Sequence, residues 1–237
     1  MLRIVGAMPS DRSLNVLELR ALLAAESRVE AAVLVTMRSD TPAEMRALLT
    51  PNEVKRVDRL KCPLHQLTLL KSLTARRLWL SDYLGLPRDS IGLEHDGSGA
   101  PLLRGRAPGE ASFSRSNGWC AIALVKGKRV GIDVETDRAL NWSSILDYIS
   151  VSEEADCVRE TVRKEGSLAS FFRVWCSKEA VLKAMGAGFR AGPKTLSLPR
   201  ALIESGQSAE VALPVGTAQV SVTRIEKMTV ALATVSA

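Results

Sequence analysis

The chain has 237 residues, with 32 Lys and Arg against 26 Asp and Glu, and therefore a net charge of +6. Its hydrophobic fraction of 46% and charged fraction of 24% are typical of a globular protein and exclude a disordered chain. No apolar run approaches the ~18 residues of a membrane span, and the start of the sequence lacks the apolar stretch of a secretory signal. Four widely spaced cysteines, none in a C-x-x-C pair, predict reduced thiols in a cytoplasmic protein without a zinc site.

The positive charge is concentrated in the first half of the chain. Residues 1–130 contain 20 basic and 13 acidic residues, whereas residues 131–237 contain 12 and 13. A basic half is typical of a protein with a polyanionic partner, although an Arg-rich solvated surface gives the same balance. Aromatic residues are 4% of the chain and are not interleaved with the basic runs, which disfavours a nucleic acid partner.

The first half is predicted to mix helices with one buried strand. Leucines at helical spacing predict a helix over 12–25, and the apolar run 31–37 predicts a strand. Thr50 and Glu53 have the spacing of a capping box and predict a helix start. A longer helix is predicted over 63–84, because a glycine suited to a helix end follows it.

Extended segments follow the long helix and run into the second half. Three apolar runs within 111–135 are separated by turn signals at 116–118 and 126–128, which predict an antiparallel meander of three strands. A helix start at Ser152, a long helix over 168–185 and closing strands after residue 209 follow.

The two halves share a plan. The segment beginning at residue 49 resembles the one beginning at 149, and the helix 70–85 overlays 171–186 at an offset of 101. An apolar strand precedes each helix. The pattern predicts an internal duplication into two αβ units, with chance periodicity as the alternative.

The strand Val130-Gly-Ile-Asp-Val-Glu135 carries a pair of carboxylates. Because alternate side chains of a strand share a face, Asp133 and Glu135 point to the same side. Two like charges so close need a cation or an exposed position. A solvated strand face is the ordinary alternative to a metal site.

A third carboxylate lies on the second long helix. Glu179 and Lys183 are four residues apart and share one helix face, near its apolar stripe. A surface ion pair is the simple interpretation. If Glu179 were brought near Asp133 and Glu135, the three oxygens would form a hard-ligand site suited to Mg²⁺.

Arg115 lies in the first turn of the predicted meander. In the simplest register Trp119 lies opposite Glu135 and Arg115 lies opposite Trp119, so Arg115 would share the carboxylate face. A guanidinium there could bind a phosphate beside a metal. An ordinary polar hairpin is the alternative.

The motifs G-I-D-V-E at 131–135 and W-C-S-K-E-A-V-L-K at 175–183 together resemble those of 4′-phosphopantetheinyl transferases of the surfactin-synthetase-activating type. The resemblance covers about 53–237. It implies an α+β fold of two similar αβ halves related by pseudo-two-fold symmetry, each an antiparallel-containing sheet packed on a long helix. We expect a basic N-terminal half, 1–130, on the coenzyme A side and a C-terminal half, 131–237, with the carboxylates.

The resemblance implies Mg²⁺-dependent transfer of phosphopantetheine from coenzyme A to a serine of an apo acyl- or peptidyl-carrier protein, with release of 3′,5′-ADP. It implies an acidic carrier partner and a monomer, without nucleic acid or membrane partners. The residues that match the family's metal ligands are Asp133, Glu135 and Glu179. The residues implied in catalysis are Glu179 and Lys183, and those implied in coenzyme A binding are Ser114, Arg115, Lys178, Lys183, Lys55 and Arg59.

The sequence departs from the family pattern on the coenzyme A side. Arg115 replaces a usual His, Ala100 replaces a usual Lys or Arg, and Gln66 lies near the position of an arginine. A cationic group that could compensate consists of Lys55, Arg56, Arg59 and Lys61. The alternative function is a catalytically weakened member that acts as a nucleotide- or carrier-binding module.

Overall fold

The structure is a computed structural model that describes residues 14–19, 22, 29–38, 41–95, 101–107, 109–187 and 192–235. In these ranges the helices α1 to α7 are Pro42–Ala47, Pro51–Asp58, Pro63–Leu84, Trp142–Ile149, Ser152–Glu165, Ala169–Met185 and Arg200–Ser205. The strands β1 to β10 are Leu14–Glu18, Val29–Met37, Leu93–His95, Pro101–Leu103, Ala111–Ser116, Trp119–Val125, Arg129–Thr136, Ala209–Ala212, Thr217–Ile225 and Met228–Val235. A search of the described helices for a membrane-spanning segment found none.

The strands form two four-stranded antiparallel sheets, in the orders β1-β2-β6-β5 and β7-β10-β9-β8, and a separate β3–β4 pair. The cores of the two sheets share one plan. In each, an early strand lies beside the last strand, which in turn lies beside the one before it: β2-β6-β5 and β7-β10-β9. The predicted α+β fold of two similar halves is confirmed. We retain 1–130 and 131–237 as the proposed division, because the first sheet ends with Val125 and the second begins with Arg129.

Four layers build the molecule, in the order helix, sheet, sheet, helix. Leu73 and Trp79 of α3 pack with Ile122 of the first sheet, and Phe171 of α6 packs with Ala231 of the second. A third apolar cluster joins the opposite faces of the two sheets, with members Leu34, Ala123, Ile132 and Leu232. The sheets therefore meet at the centre, and polar residues at their shared edge lie between the two halves.

Local signals account for the helix ends. The capping box at Thr50 is confirmed, because the Thr50 Oγ1 accepts from the Glu53 amide at 3.3 Å and the Thr50 amide donates to the Glu53 carboxylate at 3.0 Å. The long helices α3 and α6 both end at glycines, Gly85 and Gly186, with φ of 63° and 69°. This left-handed conformation favours glycine and terminates both helices as predicted.

The predicted helix over 12–25 is wrong over residues 14–18. Residues 14–18 form β1, which pairs antiparallel with β2. Leu14 and Val16 are buried while Asn15 between them is exposed, so the leucines follow the two-residue period of a strand. The flanking residues 12, 13, 20, 21 and 23–25 lie outside the described residues.

The predicted three-stranded meander is also wrong in its last strand. The β5–β6 hairpin forms, with Asn117 and Gly118 at positive φ of 49° and 81°. After Gly127, however, the chain crosses to the other sheet, where β7 pairs with β10. The turn at 126–128 thus connects the two halves, and its glycine marks a crossing instead of a hairpin.

Candidate active site

The strand β7 lies unusually close to α6. A Cβ added at Gly131 would lie 1.8 Å from the Ala180 carbonyl oxygen and 2.7 Å from the Ala184 amide nitrogen. Only glycine allows such an approach of strand to helix. The motif glycine therefore brings Asp133, two residues further along β7, against the helix that carries Lys183.

Asp133 is at the centre of a polar network between the halves. Its Oδ1 accepts hydrogen bonds from Lys183 Nζ at 2.7 Å and from Ser114 Oγ at 2.7 Å. Lys183 Nζ also donates to the Ile132 carbonyl at 3.1 Å. Burial lowers the pKa of Lys183, but the Asp133 and Glu179 carboxylates outweigh it and raise the pKa above its usual value. Lys183 therefore stays protonated at neutral pH.

Three alternate serines of β5 connect the first sheet to β7. Ser112 Oγ accepts from the Ile132 amide at 3.0 Å, and Ser116 Oγ accepts from the Thr136 amide at 3.0 Å. Ser114, between them, donates to Asp133. These bonds position the carboxylate strand against the basic half, and Ser114 is thus a neighbour of the carboxylates.

The other two carboxylates lie near Asp133. Glu135 pairs with Arg138, and Ser116 Oγ donates to Glu135 Oε2 at 3.4 Å. Burial raises the pKa of Glu179, Lys183 lowers it, and Asp133 and Glu135 raise it further, so that it lies above its usual value. The pKa of Glu179 on α6 thus responds to both carboxylates of β7.

A divalent cation fits the chemistry of this seam. Asp133 Oδ2 is buried without a hydrogen-bond partner in the described structure, and an orphaned carboxylate oxygen is suited to a cation. Over the described ranges, however, no group of three or more His, Cys, Asp and Glu side chains is arranged to hold a metal. The donors are present, but Lys183 and Arg138 currently pair with two of them.

A cavity of about 280 Å³ lies beside this network, and we call it the arginine cavity. Six residues of its wall matter here: Arg56, Arg76, Phe113, Ser114, Arg115 and Lys183. Four of these six are cations, and Lys183 belongs to both the cavity and the carboxylate network. The cavity therefore suits an anionic ligand whose far end reaches the seam.

Arg115 reaches this cavity by a route other than the predicted one. It lies opposite Cys120 in the β5–β6 hairpin, one residue away from the assumed register. A one-residue shift turns a side chain to the other face, so the serines face the carboxylates while Arg115 lines the arginine cavity. Arg76 lies over the ring of Phe113, 5.2 Å from its centroid, on the same side of β5.

The structure does not place Lys178 at the site. Its side chain is 0% exposed, and its Nζ pairs with Glu154 at 2.5 Å. The same ammonium donates to the Ile149 carbonyl at 2.7 Å and the Pro193 carbonyl at 3.1 Å. The Lys178 ammonium is thus engaged inside the C-terminal half, where it forms a buried structural anchor in place of the implied coenzyme A contact.

Of the other cations expected near coenzyme A, some line the arginine cavity and others do not. Lys55 on α2 and Arg59 just after it are exposed and are not among the lining residues of the arginine cavity, whereas Arg56 is. Gln66 Nε2 donates to the Leu60 carbonyl at 2.7 Å and so closes the α2–α3 connection. Ala100 lies outside the described residues.

Arg76 is the site residue that sequence reasoning missed. It is 7% exposed, in the buried middle of α3. The available signal was the pair Arg76-Arg77 inside an otherwise apolar helix face, because buried arginines need anionic partners. Only the position of α3 beside β5 shows that one of the two reaches a cavity.

The comparisons with known proteins agree with the two motifs. The 4′-phosphopantetheinyl transferase superfamily matches residues 129–228. The chain is 29% identical over 141 residues to the 4′-phosphopantetheinyl transferase psf-1 of Bacillus pumilus, covering 60% of this chain and 58% of that protein. It is 27% identical over 149 residues to the 4′-phosphopantetheinyl transferase HetI of a Nostoc species, covering 61% and 62%.

A third relative matches a shorter segment. The 4′-phosphopantetheinyl transferase AcpT of Salmonella typhimurium is 36% identical over 90 residues, which is 37% of this chain and 46% of that protein. The chain thus spans between a third and about three fifths of the length of the curated relatives it matches. The matched family segment begins with β7 and contains both motifs, so the resemblance is confirmed. Residues 129–228 of this chain are thus similar to the 4′-phosphopantetheinyl transferase superfamily.

Proposed function

We propose that this chain transfers the 4′-phosphopantetheine group from coenzyme A to a serine of an apo acyl- or peptidyl-carrier protein, with Mg²⁺, and releases 3′,5′-ADP. The observation that carries the proposal is Lys183, which bonds Asp133 on the carboxylate seam and also lines the arginine cavity. A ligand with several phosphates would extend from the carboxylate seam to the arginine cavity. Coenzyme A has this shape, because a diphosphate and a separate phosphate monoester flank its nucleoside.

The arginine cavity supplies the binding groups for the nucleotide part of coenzyme A. Arg56, Arg76 and Arg115 present planar forks that suit bidentate bonds to phosphate oxygens. Arg115 replaces the family's usual imidazole, which loses its charge near neutral pH, with a permanent cation. We therefore assign Arg115 to phosphate binding and give it no part in proton transfer.

The carboxylate seam supplies the metal-binding groups. Asp133, Glu135 and Glu179 would hold Mg²⁺, and the unpartnered Asp133 Oδ2 supports this assignment. When bound, the cation neutralises the diphosphate charge and polarises its oxygens. Before coenzyme A binds, two ion pairs neutralise charge at the seam. They join Lys183 to Asp133 and Arg138 to Glu135.

The transfer itself is a displacement at phosphorus. The bond from the carrier serine oxygen to the β-phosphorus forms, and the bond from that phosphorus to the bridging oxygen breaks, so that 3′,5′-ADP leaves. Lys183, protonated and next to the seam, stabilises the charge that develops on the leaving phosphate. Glu179 accepts the serine proton, since within the described residues no hydrogen bond or ion pair engages its carboxylate. Burial, and then the nearby Asp133 and Glu135, raise its pKa in spite of Lys183.

The carrier partner follows from charge. Three of the four cations of the arginine cavity belong to the half with a net charge of +7, so an acidic carrier protein would be attracted to the same side of the molecule as coenzyme A. We propose a monomeric cytoplasmic enzyme without nucleic acid or membrane partners. The two halves of a single chain already supply both parts of the site.

The test is mass spectrometry of apo carrier proteins incubated with the chain, coenzyme A and Mg²⁺. We expect a mass increase equal to one phosphopantetheine on the carrier serine and equimolar 3′,5′-ADP. Carriers from fatty acid, polyketide and peptide synthesis should all be included. If none gains the group while coenzyme A binds, the transferase is excluded and the binding module is supported.

A further inference from the structure

Glu53 is a largely buried carboxylate that the proposed transfer does not use. Its side chain is 12% exposed. Its Oε2 accepts from the Thr50 amide at 3.0 Å and from Arg77 Nη2 at 2.8 Å, and its Oε1 accepts from Arg76 Nη2 at 3.2 Å. Burial raises the pKa of Glu53, but the Thr50 amide and the two guanidiniums lower it below its usual value. Glu53 is thus an ionised link from the start of α2 to the middle of α3.

Arg76 is restrained on two sides by this arrangement. Glu53 binds one end of its guanidinium, and the ring of Phe113 lies beneath it. Its Nε is buried and has no partner in the described part of the chain. A buried, unpaired N–H of an arginine in a cavity wall is a donor held ready for an anionic ligand.

A second cation of the cavity lies on the same helix as Glu53. Arg56 is three residues after Glu53 on α2, so the two share a helix face, and Arg56 also lines the arginine cavity. Arg56 and Arg76 repel each other, and Glu53 offsets that repulsion by its ion pair. One carboxylate among Arg56, Arg76 and Arg77 leaves an excess of two positive charges, so the cavity still attracts anions.

We propose that Glu53 is a positioning residue for coenzyme A binding, which holds Arg76 at the cavity wall with its Nε directed to a phosphate oxygen. This inference rests on the proposed function. It adds a residue that touches neither substrate nor metal and that acts only through Arg76. The Glu53 cap of α2, which is visible in the sequence, would therefore also position Arg76 of α3 for nucleotide binding.

The experiment compares two capping boxes in the full chain. Thr41 and Glu44 form the same motif at the start of α1, where the Thr41 amide donates to Glu44 Oε2 at 2.8 Å. Glu44 is exposed, and no arginine pairs with it among the described residues. Coenzyme A binding is measured by isothermal titration calorimetry without carrier. We expect Glu53→Gln to raise the Kd for coenzyme A about tenfold, and Glu44→Gln to leave this Kd unchanged.

A double-mutant cycle separates positioning from general loosening. Arg76→Gln should also weaken coenzyme A binding about tenfold, and the Glu53→Gln/Arg76→Gln variant should bind no more weakly than Arg76→Gln alone. In turnover assays Glu53→Gln should raise KM for coenzyme A and leave kcat unchanged. Additive losses in the double variant, or a loss of kcat at unchanged KM, would overturn the inference.

A conservative variant covers a failure of Glu53→Gln to fold. Glu53→Asp keeps the charge but withdraws it by one methylene, so we expect circular dichroism like the wild type and an intermediate Kd. A folded Glu53→Asp or Glu53→Gln chain with wild-type affinity rejects the inference, even where the wild type transfers phosphopantetheine. Conversely, Glu53-dependent binding by a wild-type chain that transfers nothing rejects only the proposed function.

Discussion

The two halves of the molecule contain equivalent buried ion pairs, but the residues next to these pairs differ. Glu53 and Arg77 connect α2 to α3, with Nη2 and Oε2 2.8 Å apart. Glu154 and Lys178 connect α5 to α6, with Nζ and Oε2 2.5 Å apart. Glu53 and Glu154 are 101 residues apart, and so are Arg77 and Lys178, which is the offset that relates the two long helices. Each ties a shorter helix to the long helix that follows it.

Each cation of these pairs also secures the chain beyond its helix. Arg77 Nη1 donates to the Arg88 carbonyl at 2.7 Å, at the 3₁₀ turn Arg88–Ser90. Lys178 Nζ donates to the Pro193 carbonyl at 3.1 Å, at the 3₁₀ turn Pro193–Thr195. Equivalent networks in equivalent places support the predicted duplication.

The halves differ in the residues next to the anchor. At the position after the anchor cation, α3 has the core residue Leu78 and α6 has the half-buried Glu179. At the position before it, α3 has the cavity residue Arg76 and α6 has the buried Ser177. A shared scaffold therefore acquired a cationic side in one half and an acidic side in the other through single neighbouring positions.

The largest expected effect tests whether the carboxylates of the C-terminal half are needed for the transfer rate and not for coenzyme A binding. Asp133→Asn should reduce the transfer rate by about 100-fold or more, because it removes the charge that Lys183 and the cation share. Coenzyme A affinity should change little, since the arginine cavity is intact. Steady-state assays with Asp137→Asn as the control measure this, and residual transfer near the wild-type rate would refute the assignment.

The next effect tests the equivalence of the anchors. Lys178→Met should lower the free energy of unfolding by about 3–5 kcal/mol, because Glu154 is left buried without its partner. Arg77→Met should cost less, because Arg76 still pairs with Glu53. Urea denaturation of both variants provides the comparison. The variant with both Lys178→Met and Glu154→Leu should be more stable than Lys178→Met alone, and the opposite order would contradict a buried-pair origin.

A smaller loss is expected from the contact that brings β7 to α6. Gly131→Ala should lower the free energy of unfolding by about 1–3 kcal/mol, because its methyl group would overlap the Ala180 carbonyl. Gly85→Ala serves as a control with open space around it but a positive φ, and should cost about 1 kcal/mol. Thermal unfolding of the two variants measures the difference. Equal stabilities would show that the strand and helix can separate without cost.

The smallest effect concerns the thiols, which should report burial without altering function. Cys62 is exposed, whereas Cys120, Cys157 and Cys176 are buried. Burial raises the pKa of Cys120 to about 11, although it adjoins Arg76 and Arg115. Native alkylation with iodoacetamide near pH 8 should therefore add one group, at Cys62, as read by peptide mass spectrometry. Rapid modification of Cys120 would mean that the arginine cavity opens to solvent at its base.

Local patterns were sufficient for much of the fold. The capping box at Thr50, the glycine end of α3 at Gly85 and the turn at Asn117 depend on a few neighbouring residues, and all three predictions are confirmed. The helix expected over 12–25 failed because a neighbouring strand decides whether 14–18 become β1. Strand pairing is a long-range property, so spacing alone does not report it.

By itself, the sequence determined the resemblance to the family, the two-half plan and the proposal of the three carboxylates as metal ligands, because these depend on residue type and spacing along the chain. Tertiary structure decided which cations meet them. Lys178 is turned into the core, Arg56 and Arg76 reach the cavity, and Arg115 faces away from the carboxylates that Ser114 approaches. The reason is physical: side-chain direction on a buried helix or a paired strand is set by what packs against it, and those partners lie far away in the chain.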